Sequence, residues 1–270
     1  MEWQVNEILR RGNGVSLRIS WDHFFVAFGV CLAHGVPVTM RPAIIGVKPI
    51  LCRPETRSNL NQTTYFLGII CLLFAGLNVL AEWKGARSGV LATKIAASSC
   101  FLAIGLLNVG TSTYGYVVAA ALALSWIGDV MLVWRTNAAL LGGIGAFLFA
   151  HIAYAIAFAT QPLDTFRFGI AFLIWNVVVV FLLRWLWNYL AGANRVAVLI
   201  YMAAITVMVS LAAATLSPLI GVAAGLFAIS DISVARDRFV ERSVANKVWG
   251  IPLYYLAQVM LAFSPAFVGK

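Results

Sequence analysis

Two aspartates stand inside apolar runs, Asp129 within Ser125-Trp-Ile-Gly-Asp129-Val-Met-Leu132 and Asp231 within Leu226-Phe-Ala-Ile-Ser230-Asp231-Ile-Ser-Val-Ala235. Each follows a small residue, and each is followed five or six residues later by an arginine, Arg135 or Arg236. A carboxylate within a hydrophobic span costs about 2.5–3.5 kcal/mol to insert, so its default reading is functional. Two carboxylates facing one cavity can divide acid–base work between them, one protonated and the other ionised. Such a pair suits addition of water across an activated ether, one group supplying the proton and the other activating water. Three other readings stay open on these residues alone. The aspartates can be structural groups bonded to neighbouring helices, or proton relays of a coupled transporter. Gly128-Asp129 with a second intramembrane aspartate also suggests an aspartyl protease, against which no Pro-Ala-Leu element follows in the last span.

Further polar side chains reach the depth expected for the two aspartates. Lys94 lies about four residues into the second apolar span, and Asn78 about four from the end of the first. Tyr254 and Gln258 are i,i+4 neighbours early in the last span, with Tyr255 beside them, and His151 and Tyr154 are i,i+3 neighbours in the fourth. Lys94, Ala97, Ser98, Gly105 and Asn108 form a small and polar stripe at helical spacing, the kind that packs helix on helix. The lysine among them needs a carboxylate partner or a lipid phosphate. Glycines at 142, 143 and 145, and Gly221 with Gly225, read as close-packing positions. Metal chemistry is disfavoured, because the chain has three histidines and two of them, His23 and His34, fall outside the regular spans. No cofactor is expected. No Gly-x-Ser-x-Gly elbow exists, so a serine triad is not indicated.

The elements that must position these groups are membrane helices. Of 270 residues 62% are hydrophobic and only 11% charged, which excludes an ordinary soluble domain. The net charge of +9 is scattered through connecting segments, where it suits a bilayer surface rather than nucleic acid. The four cysteines (31, 52, 71 and 100) form no Cys-x-x-Cys pair and point to neither a disulfide framework nor a thiolate metal site. No cleavable signal peptide is evident. Eight spans are expected at about 64–82, 90–109, 114–134, 139–159, 167–187, 195–215, 217–236 and 247–264. The fold expectation is therefore an all-α, polytopic transmembrane bundle over 64–264, with a C-terminal tail at 265–270. Residues 1–63 form an N-terminal extension whose short apolar stretch at 24–38 fits a re-entrant or interfacial segment, or one kinked extra span.

Of the basic residues in segments that connect the eight spans, nearly all follow spans one, three, five and seven, among them Lys84, Arg87, Arg135, Arg184, Arg195, Arg238, Arg242 and Lys247. By the positive-inside rule that face is cytoplasmic; the basic residues of 1–63 argue the other way. Spans three and seven run in the same direction, which brings Asp129 and Asp231 to similar depth near that basic face. The aspartate motifs, and Leu148-Phe-Ala-His151 beside Tyr255-Leu-Ala-Gln258, suggest two parallel four-helix repeats related by an axis along the membrane normal.

Ser125-Trp-Ile-Gly-Asp129, Gly145-Ala-Phe-Leu-Phe-Ala-His151-Ile-Ala-Tyr154, Gly225-Leu-Phe-Ala-Ile-Ser230-Asp231 and Tyr254-Tyr255-Leu-Ala-Gln258, in this order and spacing, resemble the YhhN/lysoplasmalogenase family. Lys94 stands where that family has its second-span lysine. The resemblance covers about 64–264; Ala150 replaces a frequent glycine, and Ile95 a frequent proline. It implies hydrolysis of the vinyl-ether bond of a single-chain ether phospholipid, with Asp129 and Asp231 as the catalytic pair. It also implies a substrate pocket drawn from Lys94, Asn78, Ser125, His151, Tyr154, Ser230, Tyr254, Tyr255 and Gln258. The partners it implies are this lipid and the bilayer itself, with a multi-pass location that in a bacterium is the inner membrane.

Overall fold

A computed structural model describes residues 54–134 and 136–268. The expectations for residues 1–53, with His23, His34, Cys31 and Cys52, lie outside the described residues. Eight long helices follow one another: α1 (Pro54–Trp83), α2 (Arg87–Asn108), α3 (Thr113–Val133), α4 (Asn137–Ala159), α5 (Thr165–Leu186), α6 (Ala193–Ala214), α7 (Pro218–Ala235) and α8 (Val244–Phe267). All eight contain a stretch long and apolar enough to cross a membrane, and their spans agree with the expected ones to within a few residues. The chain is a multi-pass membrane protein. Helix α1 starts at Pro54, within the N-terminal extension, and the span itself begins at Gln62.

The ends of the helices are set locally. Ser112, Thr136, Asp164 and Ser243 each precede a helix, and their side-chain oxygens accept from backbone N–H groups of the first turn. Pro218 opens α7 where its missing N–H costs nothing. A five-residue π-helical turn, Arg236–Val240, ends α7 on the basic face; such turns recur at functional sites.

Successive helices pack on one another except α4 and α5, and α8 is the hub, packing on α1, α2, α3 and α7. Helix α2 packs on α8, and α6 packs on α4. Helix α1 reaches α8 as well as α2, whereas α5 packs on α6 with no comparable contact to α4. That withdrawal of α5 leaves room beside α4 and α6, and the space belongs to the cavity described below.

Close helix approach depends on a few glycines, and not all of those read from the sequence take part. A Cβ on Gly128 meets the Phe147 ring at 2.7 Å, and Gly142 and Gly143 lie against Met131 and Leu132, whereas Gly145 and Gly225 face open space and Gly221 makes only an ordinary contact. The tightest position was not among those expected. A Cβ at Gly250 of α8 collides with Ser233 of α7. Gly250→Ala is therefore expected to cost about 1–3 kcal/mol through overpacking, read as a lowered thermal midpoint of the detergent-purified protein. Ser233→Gly in the same chain should recover most of it, because Ser233 supplies the obstructing atoms. An unchanged midpoint in Gly250→Ala contradicts this packing.

Candidate active site

The polar groups gather where α2, α3, α4, α6, α7 and α8 face a single cavity of about 790 Å³. Asp129, near the basic end of α3, is 2% exposed. Its Oδ1 lies 3.3 Å from Lys94 Nζ. Its Oδ2 accepts from Ser98 Oγ at 2.5 Å and from Tyr254 OH at 2.8 Å. Tyr255 extends the network, with its hydroxyl 3.3 Å from Ser98 Oγ and donating to the Lys94 carbonyl at 3.4 Å. The stripe on α2 thus serves both purposes, for Ala97 and Gly105 are packed while Lys94 and Ser98 hold the carboxylate.

Asp231 has different company. Its Oδ2 lies 3.0 Å from His151 Nε2, and its Oδ1 accepts from Tyr201 OH at 3.3 Å. His151 is fully buried, and its Nδ1 sits 2.7 Å from the Phe147 carbonyl oxygen. A carbonyl only accepts, so Nδ1 carries a proton. The approach of Nε2 to Oδ2 has the distance of a hydrogen bond without its alignment, and neither atom has another hydrogen-bond partner. The imidazole is clamped between the Phe227 ring, stacked at 4.3 Å, and the edge of Tyr201.

Asp129, Asp231, Lys94, Asn78, Ser230, Tyr254 and Tyr255 all line the cavity. Asn78 is occupied in fastening α1 to α2, donating to Thr93 Oγ1 and the Val90 carbonyl, and Ser230 Oγ bonds within its own helix. Ser125, His151, Tyr154 and Gln258 are fully buried and stand behind the wall. Tyr154 donates to Gln258 Oε1 at 2.8 Å, which braces α4 against α8. Two contributors escaped the sequence reading. Ser98 was grouped with packing residues, and its distinguishing signal is its place one turn beyond Lys94 on the same face. Tyr201 gave no signal beyond being a phenol inside an apolar span.

The cavity has two limbs. One runs along apolar side chains of the withdrawn α5 (Trp175, Val179 and Leu182) and of α6 (Val198, Met202 and Ile205). The other reaches the basic face, at Arg87, Arg238, Arg242 and Lys247. Both carboxylates line the same cavity, whose apolar and basic linings together suit an amphiphile with one chain and a charged head.

The sequence model of the YhhN family matches residues 90–265, well over half the chain. Lysoplasmalogenase TMEM86A of Bos taurus is 31% identical over 174 residues, spanning 60% of this chain and 70% of that protein. Lysoplasmalogenase TMEM86A of Homo sapiens is 30% identical over 158 residues, 54% of this chain and 64% of its own length. No solved structure matches the chain.

Proposed function

The chain belongs to the YhhN family, and on that premise we propose that it hydrolyses the vinyl-ether bond of lysoplasmalogens, giving a fatty aldehyde and a glycerophospho-alcohol. It is a membrane hydrolase of the lysoplasmalogenase type. The observation that carries the reaction is the unequal partnership of two carboxylates on one cavity: Asp129 with an ammonium and two hydroxyl donors, Asp231 with an imidazole.

Asp231, with His151 beside it at 3.0 Å, delivers a proton to the β-carbon of the vinyl ether. The carbon–carbon double bond supplies the electron pair, and an oxocarbenium ion forms at the ether oxygen. Asp129, an acceptor in all its contacts, faces that cation as a carboxylate and takes a proton from the water that adds to it. The resulting hemiacetal collapses with cleavage of its carbon–oxygen bond: Asp129 gives the proton it took from water to the departing alcohol oxygen, and the hemiacetal hydroxyl returns its own proton to Asp231 as the aldehyde forms. Helix α5 and its apolar limb accept the hydrocarbon chain. His151 acts here through Asp231, held in one tautomer by the Phe147 carbonyl.

The test is to incubate purified protein with a lysoplasmalogen and with its saturated-ether and ester analogues, with chelator present throughout, and to follow aldehyde by mass spectrometry. Aldehyde is expected from the vinyl ether alone. Among the described residues no three of His, Cys, Asp and Glu converge as metal ligands, so the chelator should not slow it. Uptake of lipid without chemical change, or cleavage of a helical peptide, overturns the proposal.

A further inference from the structure

Lys94 is the basic residue deepest in the cavity, yet its ammonium is committed to Asp129 at 3.3 Å and only 21% of its side chain is exposed. A substrate phosphate must be held elsewhere. At the mouth, Lys247 is also committed, 2.6 Å from Glu82 Oε2. Arg87 and Arg242 differ from both. They line the same cavity, one at the first turn of α2 and one just beyond the π-turn. Both are exposed, and neither forms an ion pair among the described residues.

Distance along the helices matches the substrate. Asp129 lies four residues before the end of α3, about 6 Å along the axis. Asp231 lies five residues before the π-turn, about 8 Å. In a glycerol ether phosphate the ether oxygen and phosphorus are separated by five covalent bonds, about 6 Å when extended, given single bonds of ~1.5 Å. A vinyl ether at the carboxylates therefore brings its phosphate to the level of the arginines. Guanidinium suits this task, since its planar fork donates two hydrogen bonds to one phosphate.

We propose that Arg87 and Arg242 form the phosphate subsite of the cavity and select phosphate-bearing single-chain ethers over neutral ones. This rests on the vinyl-ether reading of the site above. The shared chemistry is a lipid phosphate, and its source is either the substrate or an anionic lipid of the surrounding bilayer. The experiment compares kcat/KM for a lysoplasmalogen with that for the phosphate-free 1-alkenylglycerol, in uncharged detergent with and without added anionic phospholipid. Measuring both substrates on one preparation cancels differences in folded fraction. The ratio is expected to fall about tenfold in Arg87→Gln and in Arg242→Gln, mainly through KM for the phospholipid. Arg87→Lys should fall between Arg87→Gln and wild type, because it keeps the charge and loses the fork. Lys84→Gln, on the same face but outside the cavity lining, should keep the wild-type ratio. An unchanged ratio in both glutamine variants overturns the subsite, as does a fall that added anionic lipid alone produces or abolishes. Absence of aldehyde from both substrates with wild-type protein overturns the vinyl-ether reading instead.

Discussion

Asp129→Asn and Asp231→Asn each lower vinyl-ether turnover by at least about 10²-fold, the scale of a lost general acid or base, while the protein still inserts and purifies. The two losses have different origins. In Asp231→Asn the amide can still donate a hydrogen bond but has no acidic proton to transfer, so the step that suffers is protonation of the double bond. His151→Gln should act on the same step, and combining it with Asp231→Asn should add little, as groups acting as a unit do. In Asp129→Asn the amide offers no negative charge to the oxocarbenium ion, and Lys94 loses its counter-ion. Ser98 and Tyr254 still find one acceptor oxygen, so the bundle is expected to survive. The measurement is single-turnover aldehyde formation in detergent, together with gel-filtration behaviour as the check on folding. Near-wild-type turnover in either asparagine variant removes the paired-carboxylate mechanism.

Lys94→Met is expected to lower kcat by about 10- to 10²-fold and to reshape the pH–rate profile. Removing one partner of a buried pair costs about 3–5 kcal/mol when both charges are fully desolvated. The effect here is smaller, because the Lys94 side chain remains 21% exposed. Each tenfold in rate corresponds to about 1.4 kcal/mol, so a fraction of that cost suffices. The alternative role, a direct anchor for substrate phosphate, leaves kcat intact and raises KM. The 3.3 Å contact with Asp129 favours the first. A pH profile of Lys94→Met that superimposes on wild type, with only KM altered, reverses this assignment and also weakens the case for Arg87 and Arg242.

Much of the scaffold was legible because a bilayer leaves few choices. A backbone in hydrocarbon must satisfy its own hydrogen bonds, so an apolar run of about 20 residues can only be a helix. Eight such runs, with linkers of a few residues, dictate alternating directions and thereby place Asp129 and Asp231 at the same end. The cost of burying charge singled out both aspartates and Lys94 without any coordinates.

Partners were not legible in the same way. Periodicity tells which residues share a face, but not which helix that face meets. Ser98 reads as part of a packing stripe, and Lys94 as in need of either a carboxylate or a lipid phosphate, until α3 is set against α2 and Asp129 meets both. Tyr154 and Gln258 read as pocket residues, yet their hydrogen bond joins α4 to α8 behind the wall, because α8 packs at the centre of the bundle. The glycines divide on the same ground: Gly250 meets Ser233 whereas Gly225 meets nothing, a difference set by the crossing of α7 and α8. Hydrophobicity fixes depth and direction for each helix separately. Lateral packing has no such one-dimensional signature, since lipid is as apolar as the helices and the contacts arise from shape and hydrogen bonding between distant segments. The withdrawal of α5, which makes room for a chain beside the carboxylates, is such a lateral fact, and only the assembled bundle contains it.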